Sequence, residues 1–204
     1  VTEIHIRPAA TEDVPALTGL LVRAFAGDEF INWVYLDPPS RPRVHGGLTA
    51  DALRRQYLPG GGVQVAVDEQ DRLLGGGVWA PPDPAHGGRW RKLLLIPAIL
   101  TAMGPANFRE FLRRGKAVDH ALAAARPREP HWYLSLLAAD PDRQRSGVGG
   151  ALLRARLTGL HAPAYLECVR DNVAYYERFG FTVTEKLDLP TAAPALFGMW
   201  REPS

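Results

Sequence analysis

The stretch HWYLSLLAADPDRQRSGVGGALL, residues 131–153, decides the fold. An apolar run stops at Asp140-Pro141, a polar segment follows, and Gly147, Gly149 and Gly150 open a helix-like pattern. Glycine weakens a helix by roughly 0.8–1.0 kcal/mol relative to alanine, so three of them at a helix start call for a reason. Missing Cβ atoms let a ligand reach the backbone. The unpaired N–H groups of a helix N-terminus, at the positive end of its dipole, suit a phosphate. A Walker A loop requires a lysine after its glycines, and none follows here. The dinucleotide pattern GxGxxG is a nearer match, with two of its three glycines and with Glu167 20 residues beyond Gly147. Only about 50 residues remain after this unit, too few for a full dinucleotide fold. The remaining reading is Q-x-x-G-x-G over 144–149, a pyrophosphate cradle.

Outward from this loop, strands and helices mix. A central strand at 132–139, the glycine helix and a strand at 164–169 form one parallel β-α-β unit. A short helix at 172–179 and strands near 181–188 and 195–201 complete the C-terminal part. Toward the N-terminus, 3–7 alternates as a strand, and Thr11-Glu12-Asp13 offers an N-cap and acidic first turn to a helix running to about residue 25. An aromatic segment at 26–40 ends in a proline turn, and a second helix is expected near 48–58. Strands at 63–67 and 73–80 flank the polar turn 68–72, which reads as an antiparallel hairpin. A loop at 81–88 leads to a long, mostly helical stretch at 90–126 with a break near Pro105. The expectation is one mixed α/β (α+β) domain over residues 1–204. Its sheet is mostly antiparallel and flanked by helices.

Composition narrows the function. At 46% hydrophobic and 23% charged, the 204-residue chain reads as soluble and globular. No run approaches 18 apolar residues, so no membrane span is expected, and VTEIHIRPA lacks the flanks of a signal peptide. A net charge of +2 gives no basis for nucleic-acid binding. The single cysteine, Cys168, excludes an internal disulfide and fits a cytoplasmic location. Six histidines lie scattered without metal-ligand spacing, so no metal site is expected.

The stretch 131–183 resembles the GCN5-related N-acetyltransferase superfamily. Residues 144–149 match its acetyl-coenzyme A pyrophosphate motif, between LLAADP and ALL. YLECVRDNVAYYERFGF, residues 165–181, is similar to the family's next motif through Asn172, Tyr176, Gly180 and Phe181. RPREPHWYL, NVAYYERFGFTVT and FGMWRE further resemble the puromycin N-acetyltransferase group. The resemblance is clear over 127–204, the acetyl-coenzyme A-binding half, and thin over 1–126, the acceptor-side half.

The resemblance implies a direct acetyl transfer from acetyl-coenzyme A, without a metal, to a primary amine of a small molecule such as an aminoacyl-nucleoside antibiotic. It implies that the central strand splays from its neighbour, leaving Leu137, Ala138 and Ala139 to pair with the pantetheine arm. The loop Arg145, Ser146, Gly147, Val148, Gly149 and Gly150 would hold the pyrophosphate, and Asn172 would contact the pantetheine or thioester. Tyr176 would be the general acid for the departing thiolate, with Tyr175 a packing residue. Glu29, Phe30 and Trp33, with Asp28 and Tyr35, would wall the acceptor site.

Where many relatives carry a basic glutamate on the central strand, this chain has Ser135. Glu29, Asp28, His131, Glu167 or a water stay open as the base. An α-amine with a pKa of about 7.7–8.0 is about a quarter neutral near pH 7.4, against about one part in a thousand for lysine. The missing glutamate therefore favours an α-amine acceptor that arrives largely neutral, with water relaying its proton. Two rivals remain: a protein N-terminal or lysine acetyltransferase, and a non-catalytic acyl-coenzyme A sensor. A homodimer is compatible with the sequence but not written in it.

Overall fold

Alternating, valine-rich segments form the strands. The structure is a computed structural model that describes residues 3–82, 96–143, 145–190 and 192–203. Its strands are β1 (His5–Pro8), β2 (Val63–Val67), β3 (Leu73–Ala80), β4 (Trp132–Ala139), β5 (Ala164–Val169), β6 (Thr182–Lys186) and β7 (Leu196–Arg201). They make one sheet in the order β1-β2-β3-β4-β5-β7-β6, which places β4 at its centre. All of its pairings are antiparallel except β4 with β5. The expected mixed architecture with one parallel pair is therefore what forms.

Helices cover both faces. On one face α1 (Val14–Ala24) sets Val14, Leu17, Leu20 and Leu21 against Val63, Val65, Val67 and Val78. On the other, α5 (Val148–Leu157) sets Leu153 and Leu157 against Leu134, Leu166 and Met199. Glycines in β3 let both helices press close. A Cβ on Gly75 would lie 2.5 Å from Val148 of α5, and one on Gly76 would collide with Leu17 of α1.

Local chemistry shifts several boundaries from their sequence positions. Thr11 does not cap α1. A 3-10 turn at Thr11–Asp13 precedes the helix, and the Asp13 carboxylate accepts the Ala10 N–H at 2.7 Å while pairing with Arg7. The segment 26–40 contains a short helix, α2 (Glu29–Val34), capped by Asp28. The next helix, α3 (Arg41–Ala52), starts before residue 48 because Pro42 suits a first turn, and it runs on through a π-helical turn at Leu53–Tyr57. The long helix α4 (Ile96–Ala125) breaks at Gly104 (φ 74°, ψ 164°) beside Pro105, where a break is expected. The start of that expected stretch, 90–95, and most of the loop 81–88 lie outside the described residues. The last helix, α6 (Arg170–Glu177), follows β5 directly.

Candidate active site

The central strands part in the middle of the sheet. Strands β4 and β5 pair through Trp132–Ala164, Tyr133–Tyr165 and Leu134–Leu166, and the parallel pairing ends there. Beyond that point β4 stays with β3 as far as Ala139, and β5 stays with β7 as far as Val169. A bulge marks the place: Trp79 of β3 opposes Leu134 and Val78 opposes Leu136, so Ser135 is an extra residue. Its hydroxyl accepts a hydrogen bond from Tyr57 at 2.9 Å. Leu137, Ala138 and Ala139 pair with Gly77, Gly76 and Gly75 on one side and with no β5 residue on the other.

The strand then enters the glycine loop. Asp140 anchors it, donating its N–H to Leu74 O at 2.8 Å and accepting from Arg23 at 2.6 Å. Arg145 and Gly147 both take left-handed backbone, with φ of 63° and 89°. A non-glycine residue pays about 1–2 kcal/mol there, and Gly147 is free of that penalty. A Cβ on Gly147 would meet nothing within 4 Å, so the backbone is open on that side. Ser146 is exposed, its N–H and hydroxyl both donating to Arg143 O. The first helical bond of α5 joins Ala151 N–H to Gly147 O at 2.9 Å, so the amides of Val148, Gly149 and Gly150 precede the ladder. This arrangement fits the pyrophosphate of acetyl-coenzyme A. Gln144 lies outside the described residues. Gly149 and Gly150 also face α6 and its exit, toward Tyr175 and Phe179 respectively.

Tyr176 is half-buried on α6, edge-on to Tyr175 and Phe181 with centroids 5.2 and 6.1 Å away. Burial, reinforced by Cys168 and Tyr175, pushes its pKa well above the ordinary phenol value, so the hydroxyl carries its proton at neutral pH. Neighbouring Cys168 is pushed up to about 12, chiefly by burial. The same desolvation acts on any thiolate formed beside Tyr176, keeping a phenol a usable donor to it. Asn172 lies exposed on the first turn of α6.

The other face of the opening carries a different set. Cys168 packs into the α5 core, so its neighbour Glu167 faces the opposite way. Around Glu167 stand Arg126 after α4, Tyr133 on β4 and Tyr57 after α3. Its side chain is 5% exposed, Arg126 approaches its Oε1 at 3.8 Å, and that oxygen accepts no hydrogen bond. Burial raises its pKa, outweighing Tyr133 and Arg126, which act to lower it.

The other candidate bases lie elsewhere or are engaged. Asp28 caps α2, accepting from Ile31 N–H at 2.8 Å, and Glu29 is exposed. His131 stands before β4 at the paired end, with Nδ1 2.6 Å from Glu129 O and the rings of Tyr165 and Trp200 at 5.6 Å. The aromatic residues divide. Phe30 stacks on Trp33 at 6.3 Å and packs against the cluster of Ala125, Leu187 and Leu196, while the Arg114 guanidinium lies 4.9 Å from the Trp33 ring centre. Tyr35 packs between His45 and Phe111, and burial pushes its pKa up to about 12. Sequence reading missed Tyr57, Tyr133 and Arg126. No local pattern marks them, because they converge from three separate elements.

Residues 110–183 match the acetyltransferase (GNAT) domain model. Among solved structures, one named histone acetyltransferase HPA2 and related acetyltransferase, from Corynebacterium glutamicum, is 26% identical with a TM-score of 0.73, covering 100% of this chain and 98% of its own. Drosophila melanogaster polyamine N-acetyltransferase, an enzyme that catalyses formation of N-acetylagmatine, is 16% identical with a TM-score of 0.61 and covers 98% and 100%. An N-acetyltransferase from Staphylococcus aureus is 15% identical with a TM-score of 0.60 and covers 96% and 99%.

Proposed function

Because the chain belongs to the GCN5-related N-acetyltransferase superfamily, whose members use acetyl-coenzyme A, and is an acetyl-transferring enzyme, we propose that its acceptor is the primary amine of a small molecule. The observation that carries this reading is the opening beyond Leu134 and Leu166, with Tyr176 on one face and the enclosed Glu167 on the other. Arg126, Tyr133 and Tyr57 surround Glu167, and an enclosed carboxylate favours a small cation over a folded protein surface. The Drosophila relative's action on a small amine agrees with this choice.

In this reading acetyl-coenzyme A supplies the acetyl thioester. The amides of Val148, Gly149 and Gly150, with open Gly147, receive its pyrophosphate, and Leu137, Ala138 and Ala139 flank its arm. Asn172 stands at the near end of α6, and Tyr176 supplies the proton to sulfur. Phe30 and Trp33, with exposed Glu29 beside them, lie toward the acceptor side. Aminoacyl amides of the antibiotic type belong in the first acceptor panel. A protein acceptor is the second reading, favoured by the histone acetyltransferase in the name of the Corynebacterium relative. Thiol release from acetyl-coenzyme A with aminoacyl amides, polyamines and lysine peptides separates them. The proposal expects faster turnover of small amines. A preference for lysine peptides overturns it in favour of the protein acceptor, and no release with any acceptor supports a sensor.

A further inference from the structure

We propose that Glu167, on β5, is the catalytic residue that receives the acceptor amine and takes its proton, working across the opening from Ser135. This rests on the small-amine reading above. Tyr133–Tyr165 and Leu134–Leu166 are the last rungs joining the strands. Ser135 and Glu167 are the next residues on each, so they stand on either side of the point where pairing ends. Ser135 cannot act as a carboxylate, and its hydroxyl is already held by Tyr57.

Three observations separate this carboxylate from an ordinary buried ion pair. Its side chain is only 5% exposed, yet Oε1 has no hydrogen-bond partner. A buried unsatisfied oxygen is costly and rare, and an incoming ammonium would supply the missing donor. Arg126 does not fill that role, since it is 39% exposed, 3.8 Å away, and its guanidinium carbon lies 4.0 Å from the centre of the Tyr133 ring. Finally, Glu167 and Tyr176 occupy opposite sides of the opening, because Cys168 lies against Tyr176 while Glu167 faces away. Direct transfer requires that division: the amine is deprotonated on one side and the thiolate is protonated on the other.

The step balances as follows. The carboxylate of Glu167 takes one proton from the ammonium, freeing the nitrogen lone pair to attack the thioester carbonyl. The C–N bond forms and the C–S bond breaks, its electron pair leaving on sulfur. Tyr176 gives sulfur its proton, and the surplus proton on the new amide nitrogen returns to the phenolate through solvent. Glu167 then releases its proton to solvent.

The charged and titratable groups acting with Glu167 are Arg126, Tyr133, Tyr57, Tyr165 and Cys168. Burial dominates at Glu167 and raises its pKa above the usual carboxylate range, which suits a base of neutral-pH chemistry.

The test compares wild type, Glu167→Gln and Glu167→Asp on small amines whose own pKa values run from about 7.7 to about 10.4. Coenzyme A affinity by calorimetry shows that each variant is folded. The expected loss of kcat in Glu167→Gln is about 10²–10⁴-fold for the most basic amines, smaller for weakly basic ones, and partly restored in Glu167→Asp. The wild-type kcat profile should rise with an apparent pKa that stays fixed across amines and is absent from Glu167→Gln. Turnover within threefold of wild type, or an equal loss for every amine, overturns the assignment. If wild type acetylates none of the small amines, the small-amine reading itself fails and Glu167 falls with it.

Discussion

The hydroxyl of Tyr175 lies 2.8 Å from the point that a Cβ on Gly149 would occupy. The first turn of α5 is therefore shaped by its contact with α6. Gly149→Ala should destabilise the fold by about 1–3 kcal/mol through overpacking. The change Tyr175→Phe removes the obstructing oxygen and leaves the ring carbon 3.8 Å away, so the double variant should regain most of that loss. Denaturation midpoints measure this part. Coenzyme A affinity measures the other: if the glycine also serves phosphate approach, binding stays weakened in the double variant.

Gly147 isolates the conformational role. Its φ is 89° and nothing lies within 4 Å of a Cβ built there, so Gly147→Ala adds no clash. It should cost about 1–2 kcal/mol from the left-handed backbone alone, and Gly147→Asn should cost less. Chemical denaturation of both variants gives the comparison, and an equal loss in the two would assign the effect to the side chain's bulk.

Tyr176→Phe keeps the ring against Phe181, 6.1 Å between centroids, and removes only the hydroxyl proposed to protonate the thiolate. The expected outcome is a kcat lowered about 10²–10⁴-fold with coenzyme A affinity within about threefold of wild type. Unchanged turnover would make Tyr176 a packing residue.

Glu167 also predicts a pH-dependent stability difference. Its folded pKa is raised by burial, so the stability it contributes is complete below the unfolded value of about 4.3 and is lost as pH rises through the folded value. Glutamine stays neutral throughout. Glu167→Gln should therefore melt above wild type at pH 7, and the gap should close near pH 4. A wild type that is the more stable at pH 7 would show that the Arg126 contact outweighs burial.

Legibility in the sequence followed the range of the forces involved. Strands β2, β3, β4 and β5 formed where alternating or continuous apolar runs put them, because period and turn residues are local signals. The early start of α3 was hidden by Gly46 and Gly47, which erase the apolar periodicity of 41–52. The Asp28 cap was readable as an acid before a helix, but the aromatic run drew attention to its rings. Glycine conformation was legible at Gly147. The contact of Gly149 with Tyr175 was not, since it depends on two helices meeting. Likewise the Tyr57–Ser135 bond spans 78 residues, and the bulge at Ser135 depends on how β3 is spaced against β4.

That bulge gives β4 two phases. Leu134 turns to the core beneath α5, yet Leu136 and Ala138 turn to the core beneath α1, with Leu137 and Ala139 on the α5 side. Strict alternation counted straight through Ser135 would present these last four side chains the other way, so the bulge absorbs one residue of the count. Loss of a single codon at Ser135 would thus flatten the bulge yet leave Leu134 and 136–139 on their present faces and in their present register, because β3 already skips that residue; what it would remove is the hydroxyl that Tyr57 holds. The length of β4 is therefore most forgiving at the bulge, where the chain carries a residue that its β3 neighbour does not count.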